Sequence, residues 1–410
     1  MNLALLHYSV PPIVGGVESV IAQHARLMHA DGHQVRLIAA RGDSAGEGIP
    51  LITLPLTDSQ HPEVLAVKAQ LDVGRVPPTF HTLRDQLKQE LAPALAGVDV
   101  LIAHNVCSLN KNLALTAALR QLQRLPDSPR LILWHHDLAW TTPRYQTELH
   151  AGYPWDLLRT DWGQTTQVVI SELRRHELAA LMSLDPACIQ VIPNGVDVAR
   201  FYKLEPQTQT LLAQSRVLDS APILLLPVRV TPRKNIELAL HVLAELQKSF
   251  PRATLIITGP PGPHNLRNHD YFQTLLALRA KLNLQTSAHF LAEHSAGYLS
   301  DEVVADFYRV ADALILPSRE EGFGIPLLEA ALSHLPVFCA DISPLRDLGL
   351  HAANYFSPEA DPPTIAAMLA RHFQASAITN FAERARTLYR WDLIYRQQIA
   401  PLLQSRSDQV

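Results

Sequence analysis

The chain is 410 residues long, 47% hydrophobic and 18% charged, more than one hydrophobic core usually organises, so two domains are expected. Its 35 Lys and Arg against 39 Asp and Glu leave a formal charge of −4, which gives no basic field to steer it onto nucleic acid. Cys107, Cys188 and Cys339 stand too far apart for a disulfide framework or a metal-ligand set, a usage that fits a reducing cytoplasm. The opening Met-Asn-Leu-Ala-Leu-Leu-His-Tyr lacks the basic and long apolar regions of a signal peptide, and no later stretch approaches the ~18 unbroken apolar residues of a membrane span. The expectation is a cytoplasmic protein that touches the inner face of a membrane at most peripherally.

Short apolar runs alternate with helical patterns from end to end, which predicts an α/β fold of parallel sheets covered by helices. Strands are expected near Leu3 to His7, Gln34 to Ala39, Val98 to His104, Leu131 to His135 and Gln167 to Ile170. Between the first two, Val17, Val20, Ile21, Ala25 and Met28 recur at helical spacing and the pattern stops at Asp31-Gly32. Segment 43 to 97 is irregular and proline-bearing, the place for a substrate-shaped insertion. A second set opens with Ile223-Leu-Leu-Leu226, apolar on both faces and therefore central. Strands at Thr254 to Thr258, His289 to Leu291, Ala313 to Leu316 and Pro336 to Ala340 then alternate with helices near Asn235 to Lys248, Tyr271 to Lys281, Glu302 to Arg309 and Ile325 to Ser333. The tail after Asp361 reads as helical. The domains expected are 1–205, 206–375 and a helical segment 376–410 that packs back on the first, with Trp391 at the crossing and hinges there and near Leu204 to Pro222. Two doubly wound domains would enclose a cleft lined by the loops that follow their strands.

The most informative stretch is Leu314-Ile-Leu-Pro-Ser-Arg-Glu-Glu-Gly-Phe-Gly-Ile-Pro-Leu-Leu-Glu329. A strand ends, a loop carries Glu321-Gly322-Phe323-Gly324, and a helix opens at Ile325-Pro326, where proline forfeits no hydrogen bond. The unpaired amides and partial positive charge of that helix start favour a phosphate. Glu321 and Glu329 fall on either side of it, and eight helical residues span about 12 Å, too far for the carboxyls to share one proton. After another strand, Arg229 and Lys234 offer a forked guanidinium and a point charge that can neutralise phosphates and a departing anion without a metal. Gly15-Gly16 allows close backbone approach before a helix start, but no G-x-G-x-x-G follows, which removes the main support for an oxidoreductase. His135 and His136 are neighbours on a strand and so face opposite ways, with no third ligand at useful spacing; no metal is expected. Gly259-Pro-Pro-Gly-Pro263 has prolines where a phosphate cradle needs N–H groups, and reads as a shaped loop near the nucleotide. Asn194-Gly195 has the chemistry of a tight turn at the domain junction.

Together these segments resemble the retaining glycosyltransferases of family 4, whose glutamate, seven residues, glutamate motif matches Glu321 to Glu329. The resemblance implies the GT-B fold of two Rossmann-like domains and a nucleotide-diphosphate sugar, UDP-, GDP- or ADP-linked, as co-substrate with no cofactor. It further implies hexosyl transfer to an acceptor hydroxyl by same-face attack without a metal. By carry-over, Glu321 holds donor-sugar hydroxyls, Glu329 the ribose, and the amides of Phe323, Gly324 and Ile325 the sugar or diphosphate. Arg229 and Lys234 meet the diphosphate, although Val228 stands where the family usually has glycine. Gly15 and Gly16 approach the donor from the first domain, and His136 contacts its sugar. Asn105 and Ser171 are positional candidates for the acceptor side, and the acceptor is a sugar, a small molecule or a lipid-linked glycan. Two other readings keep the fold and change the activity: a non-catalytic sugar-nucleotide-sensing subunit and a sugar-nucleotide epimerase.

Overall fold

A computed structural model describes residues 1–261, 267–294 and 298–404. The chain forms two compact units, one of Met1–Gly195 together with the residues from Trp391 onward, the other of Val196–Arg390. In unit 1 the strands are β1 (Asn2–Leu6), β2 (Gln34–Ala39), β3 (Leu51–Thr53), β4 (Val100–His104), β5 (Arg130–His135), β6 (Thr165–Val169) and β7 (Ile189–Val191). They pair in parallel in the order β3-β2-β1-β4-β5-β6-β7. All five residues of β4 are buried, as expected where helices cover both faces of a sheet. The helix Gly16–Ala30 buries Val20, Ile21, His24, Ala25 and Met28 on one stripe, and Gly32 at φ 86° lets the chain turn away beyond it.

Unit 2 is a six-stranded parallel sheet of β8 (Ile223–Leu226), β9 (Thr254–Ile257), β10 (Ala288–Phe290), β11 (Ala313–Leu316), β12 (Val337–Ala340) and β13 (Asn354–Phe356), in the order β10-β9-β8-β11-β12-β13. Both units are therefore Rossmann-like and doubly wound. In each, the strand order reverses once, between β1 and β4 and between β8 and β11, and the crevice beyond the carboxyl ends of those strands is where such sheets bind ligands.

Segment 43–97 is not an insertion. Helices Pro62–Leu71 and Pro78–Ala94 begin with proline at their first positions, and the second buries Phe80, Leu83, Leu87, Leu91 and Ala94 in the core over the sheet. Residues 204–222 are likewise no loose hinge. Leu204, Leu211, Leu212 and Val217 belong to the unit 2 core, while the Glu205 amide and Thr208 hydroxyl both donate to Asp306 Oδ2 at 2.8 and 2.7 Å.

The two places where the chain passes between units, 195/196 and 390/391, are neighbours, because the Val196 amide donates to the Tyr389 carbonyl at 2.7 Å. The helix Ala377–Leu388 belongs to unit 2, where Arg386 bonds Asp312 at 2.6 Å and the Ser220 carbonyl at 2.7 Å. From Trp391 to Gln404 the chain packs on unit 1. The Trp391 ring meets His24 edge-on at 5.1 Å, Tyr395 donates to Asp31 at 2.8 Å, and Arg130 bonds the carbonyls of Leu402 and Leu403. Among the described residues, no helix is long and apolar enough to cross a membrane.

Candidate functional site

Because β8 and β11 are hydrogen-bonded neighbours, the loops that follow them emerge side by side, and the Arg319 amide donates to the Arg233 carbonyl to join them. Residues 87 apart in sequence meet there: Lys234 Nζ lies 2.5 Å from Glu321 Oε1, with side chains 10% and 7% exposed. The Ser318 hydroxyl donates to the same oxygen at 2.8 Å. Sequence reasoning does not single out Ser318, though its place one residue past Pro317 at the strand end is a usable signal. Lys234 is not held as a free cation, since Glu321 holds its ammonium.

The helix Ile325–Leu332 starts from Gly324 at φ 104°, and no side chain caps it. A Cβ on Gly324 would sit 2.7 Å from Leu345, so glycine is needed there for both conformation and space. Phe323 and Ile325 are exposed. Glu329 is drawn to Tyr308, whose hydroxyl donates to Oε2 at 2.5 Å, and burial and that carboxylate push the phenol well above its ordinary range. Tyr308 carries no signal in the sequence, for it lies 21 positions away on the helix Asp301–Val310. Arg229 is exposed and makes no ion pair among the described residues. Gly259 must be glycine because a Cβ would lie 2.3 Å from the Val228 carbonyl; Gly262 and Pro263 of that loop fall outside the described residues.

In unit 1 the sequence-predicted residues follow β1, β4, β5 and β6. Gly15 is extended, and a Cβ there would strike the Glu18 carboxylate at 2.0 Å, whereas Gly16 opens the helix with nothing near it. Gly15 thus leaves room for the Glu18 carboxylate, which also accepts from Ser9 at 2.8 Å. Asn105, at φ 59°, has its side-chain oxygen filled by the amides of His136 and Asp137, at 2.7 and 3.2 Å. It locks the loop after β5 to the loop after β4. Ser171 caps the helix Glu172–Met182 by accepting from the Arg174 amide at 3.3 Å, so its hydroxyl has a structural task. His136 Nε2 meets His104 Nδ1 at 3.1 Å, His7 Nδ1 donates to the His104 carbonyl at 2.8 Å, and His135 turns away to Gln167 at 2.8 Å. Among the described residues no group of three or more His, Cys, Asp or Glu side chains could hold a metal ion.

Burial is the first cause of low pKa throughout this histidine cluster. It takes His7 and His135 to about 4 and His24 and His136 to about 3, and puts His104 well below the ordinary 6.5. Neighbouring imidazoles add to the effect at His104 and His136, while Glu18 and the His104 carbonyl oppose it at His7. The unfolded chain therefore takes up protons that the folded chain refuses. The stability these groups contribute is complete above about pH 6.5 and is lost as the pH falls toward about 4. We expect the melting temperature of unit 1 to drop by several degrees between pH 7 and pH 5, read by calorimetry; an unchanged transition over that range would contradict the neutral cluster.

Two family models match the chain. One described as Glycosyltransferase Family 4 matches residues 14–200, and one described as Glycosyl transferases group 1 matches residues 208–385. Relatives include mannosylglucosylglycerate synthase of Petrotoga mobilis, 26% identical over 84% of this chain and 85% of that protein. A D-inositol 3-phosphate glycosyltransferase of Kineococcus radiotolerans is 31% identical over 44% of this chain, a match that spans only 40% of that relative. Among solved structures, a glycosyltransferase from Rickettsia africae overlaps 99% of both chains at 16% identity and a TM-score of 0.38. Anabaena HepE in complex with UDP and glucose overlaps 99% of this chain and 100% of that chain at 20% identity and a TM-score of 0.36.

Proposed function

From the premise that this chain belongs to the family 4 glycosyltransferases of GT-B fold, we propose that it moves a hexosyl unit from a nucleotide-diphosphate sugar to an acceptor hydroxyl with retention and without a metal. The observation that carries this reading is the meeting of Lys234, Ser318 and Glu321 at the switch point of the unit 2 sheet, beside the uncapped start of the helix Ile325–Leu332. As the bond from the sugar's anomeric carbon to the diphosphate breaks, negative charge grows on the departing phosphate oxygen. Arg229, Lys234 and the amides at the helix start, among them those of Phe323, Gly324 and Ile325, are suited to stabilise it. The acceptor oxygen forms the new bond on the same face, and its proton passes to that phosphate oxygen.

Glu321, fixed by Lys234 and Ser318, accepts from donor-sugar hydroxyls, and Glu329, fixed by Tyr308, accepts from the ribose. The curated relatives are named for small polar molecules, D-inositol 3-phosphate and mannosylglucosylglycerate, which supports a small polar acceptor. The place of action is the cytoplasm or its membrane face.

The test is a panel of UDP-, GDP- and ADP-sugars against the full-length protein, read as thermal shift and as slow donor hydrolysis by mass spectrometry. One donor should raise the unit 2 transition, because a ligand that binds only the folded state stabilises it. Tyr308→Phe should weaken that donor about tenfold, the worth of one hydrogen bond to a carboxylate, with little loss of stability. No response from any donor in folded protein would overturn the reading.

A further inference from the structure

We propose that unit 1 binds a small phosphorylated molecule in a cavity at the amino edge of its sheet, with Arg120, Arg124 and Arg130 around the phosphate group. The whole lining falls between Arg120 and Gln164 and so within unit 1. Arg120 stands in the last turn of the helix Leu113–Gln123, Arg124 follows that helix directly, and Arg130 is the first residue of β5. Gln164, just before β6, also lines the cavity, at φ 50°, a left-handed conformation uncommon for a residue with a side chain. Parallel strands share one amino edge, so the cavity lies about 16 Å, the length of β5, from the strand end that leads to His136. A molecule held there is outside the crevice beyond the carboxyl ends.

Three guanidiniums share this recess, and two of them are partly buried. Arg120 lies over the Trp162 ring at 5.5 Å and bonds Gln123 Oε1 at 2.5 Å and the Trp162 carbonyl at 2.6 Å. Those oxygens are neutral, so they satisfy N–H groups and leave the charge standing. Arg130 bonds the neutral carbonyls of Leu402 and Leu403 at 3.0 and 2.9 Å. Arg124 is exposed and makes no ion pair among the described residues. Burial holds Arg120 and Arg130 below their ordinary range, and at Arg120 the charge of Arg124 adds to the effect. Asp161 opposes it from beyond ion-pair distance, and its Oδ1 accepts from the Gly163 amide at 3.2 Å. Like charges four residues apart on a helix repel, more strongly where they are partly out of water, and a bound anion reverses the sign of that interaction.

The chemistry of the ligand follows from the donors and the size of the space. A guanidinium fork meets phosphate through two parallel N–H bonds, and Arg120 is held in place for this by Trp162 and Gln123. The cavity measures about 800 Å³. Small-molecule sites run from roughly 300 to 1,000 Å³, so a phosphate ester the size of a sugar phosphate fits it better than a bare ion. A lipid surface needs a broad apolar face, whereas Leu125 is the only large exposed hydrophobic residue of this lining. Arg120 and Arg130 also tie segments of the chain together through their carbonyl bonds. Arg124 has no such task, so its substitution separates binding from structure.

Full-length protein is titrated by calorimetry with inorganic phosphate, glycerol phosphate and a hexose 6-phosphate at about 0.15 M salt. At least one of the two esters should bind more tightly than inorganic phosphate, with a Kd below about 1 mM. Arg124→Ala should weaken it about tenfold, the effect of one charge-assisted hydrogen bond, and shift the melting temperature by less than about 2 °C. Arg124→Lys keeps the charge without the fork and should recover only part of the loss. Lys234→Met, a change in unit 2, should leave this binding intact. Phosphate binding that is lost in Lys234→Met and survives Arg124→Ala belongs to unit 2 and overturns the inference. It is overturned equally if none of the three probes binds below about 10 mM, or if the protein sediments with phosphatidylglycerol vesicles and ignores the free phosphates. No donor sugar or turnover enters this test, so its outcome is independent of the function proposed above.

Discussion

Replacing Glu321 with alanine should lower turnover at least about a hundredfold and should also destabilise unit 2 by about 3 kcal/mol, a pairing of effects that follows from where its carboxylate sits. Lys234 and Glu321 are 10% and 7% exposed, so removing the carboxylate leaves a nearly buried ammonium without its ion-pair partner. The cost arises from the uncompensated charge that remains, since an intact buried pair roughly balances desolvation against attraction. Lys234→Met combined with Glu321→Gln removes both charges and should recover most of the stability while turnover stays lost. Urea unfolding of the unit 2 transition and initial rates with the responding donor measure the two quantities separately. Wild-type turnover in Glu321→Ala would sink the assignment of the site, and a double variant no more stable than the single one would sink the account of the pair.

The largest effect on stability alone is expected at Asp312, just before β11. Its Oδ2 accepts from Arg386 at 2.6 Å and from the Ile223 amide at 2.7 Å, and both charged side chains are 7% exposed. Burial holds the Asp312 carboxyl above its ordinary range even with the guanidinium beside it, so desolvation outweighs the Coulomb gain. Such a pair adds little while intact and is costly to halve. Asp312→Ala should destabilise unit 2 by about 3–5 kcal/mol, because it strands the Arg386 charge and leaves the first amide of β8 without its acceptor. Asp312→Asn combined with Arg386→Leu should recover at least half of that loss. A change under about 1 kcal/mol in Asp312→Ala, read by urea unfolding, would contradict this. The same contact explains why the helix Ala377–Leu388 belongs to unit 2, whereas the chain beyond Arg390 belongs to unit 1.

Much of the architecture was legible because it depends on local periodicity. Ile223–Leu226 is apolar at every position, and only a strand covered on both faces accommodates that; it lies third in a sheet of six. The run from Glu321 to Glu329 marked its loop and its helix start by residue types, and it carried the resemblance to the family. The edge strands β3, β7 and β13 were not legible, whereas β10, equally short and also at an edge, is expected near His289 to Leu291. β3, β7 and β13 hold three residues each, too few to show a period, and form because a neighbouring strand offers its free edge. Helices Pro62–Leu71 and Pro78–Ala94 were obscured by the prolines that begin them, which weigh against a helix as composition and favour one at its first position.

The fold class and the residue types available for chemistry could be read from the chain alone, because they rest on neighbours along it, and the family entered through the resemblance of its motifs. What only the tertiary structure decided was which of those residues meet. Lys234 reaches Glu321 across 87 positions, Tyr308 reaches Glu329 across 21, and His104 reaches His136 across 32. No period or spacing encodes those pairs. The first and third arise because parallel strands deliver their carboxyl ends to one edge of a sheet, and the order of the strands, set by packing over the whole unit, selects which become neighbours; the second arises because the helices Asp301–Val310 and Ile325–Leu332 pack side by side.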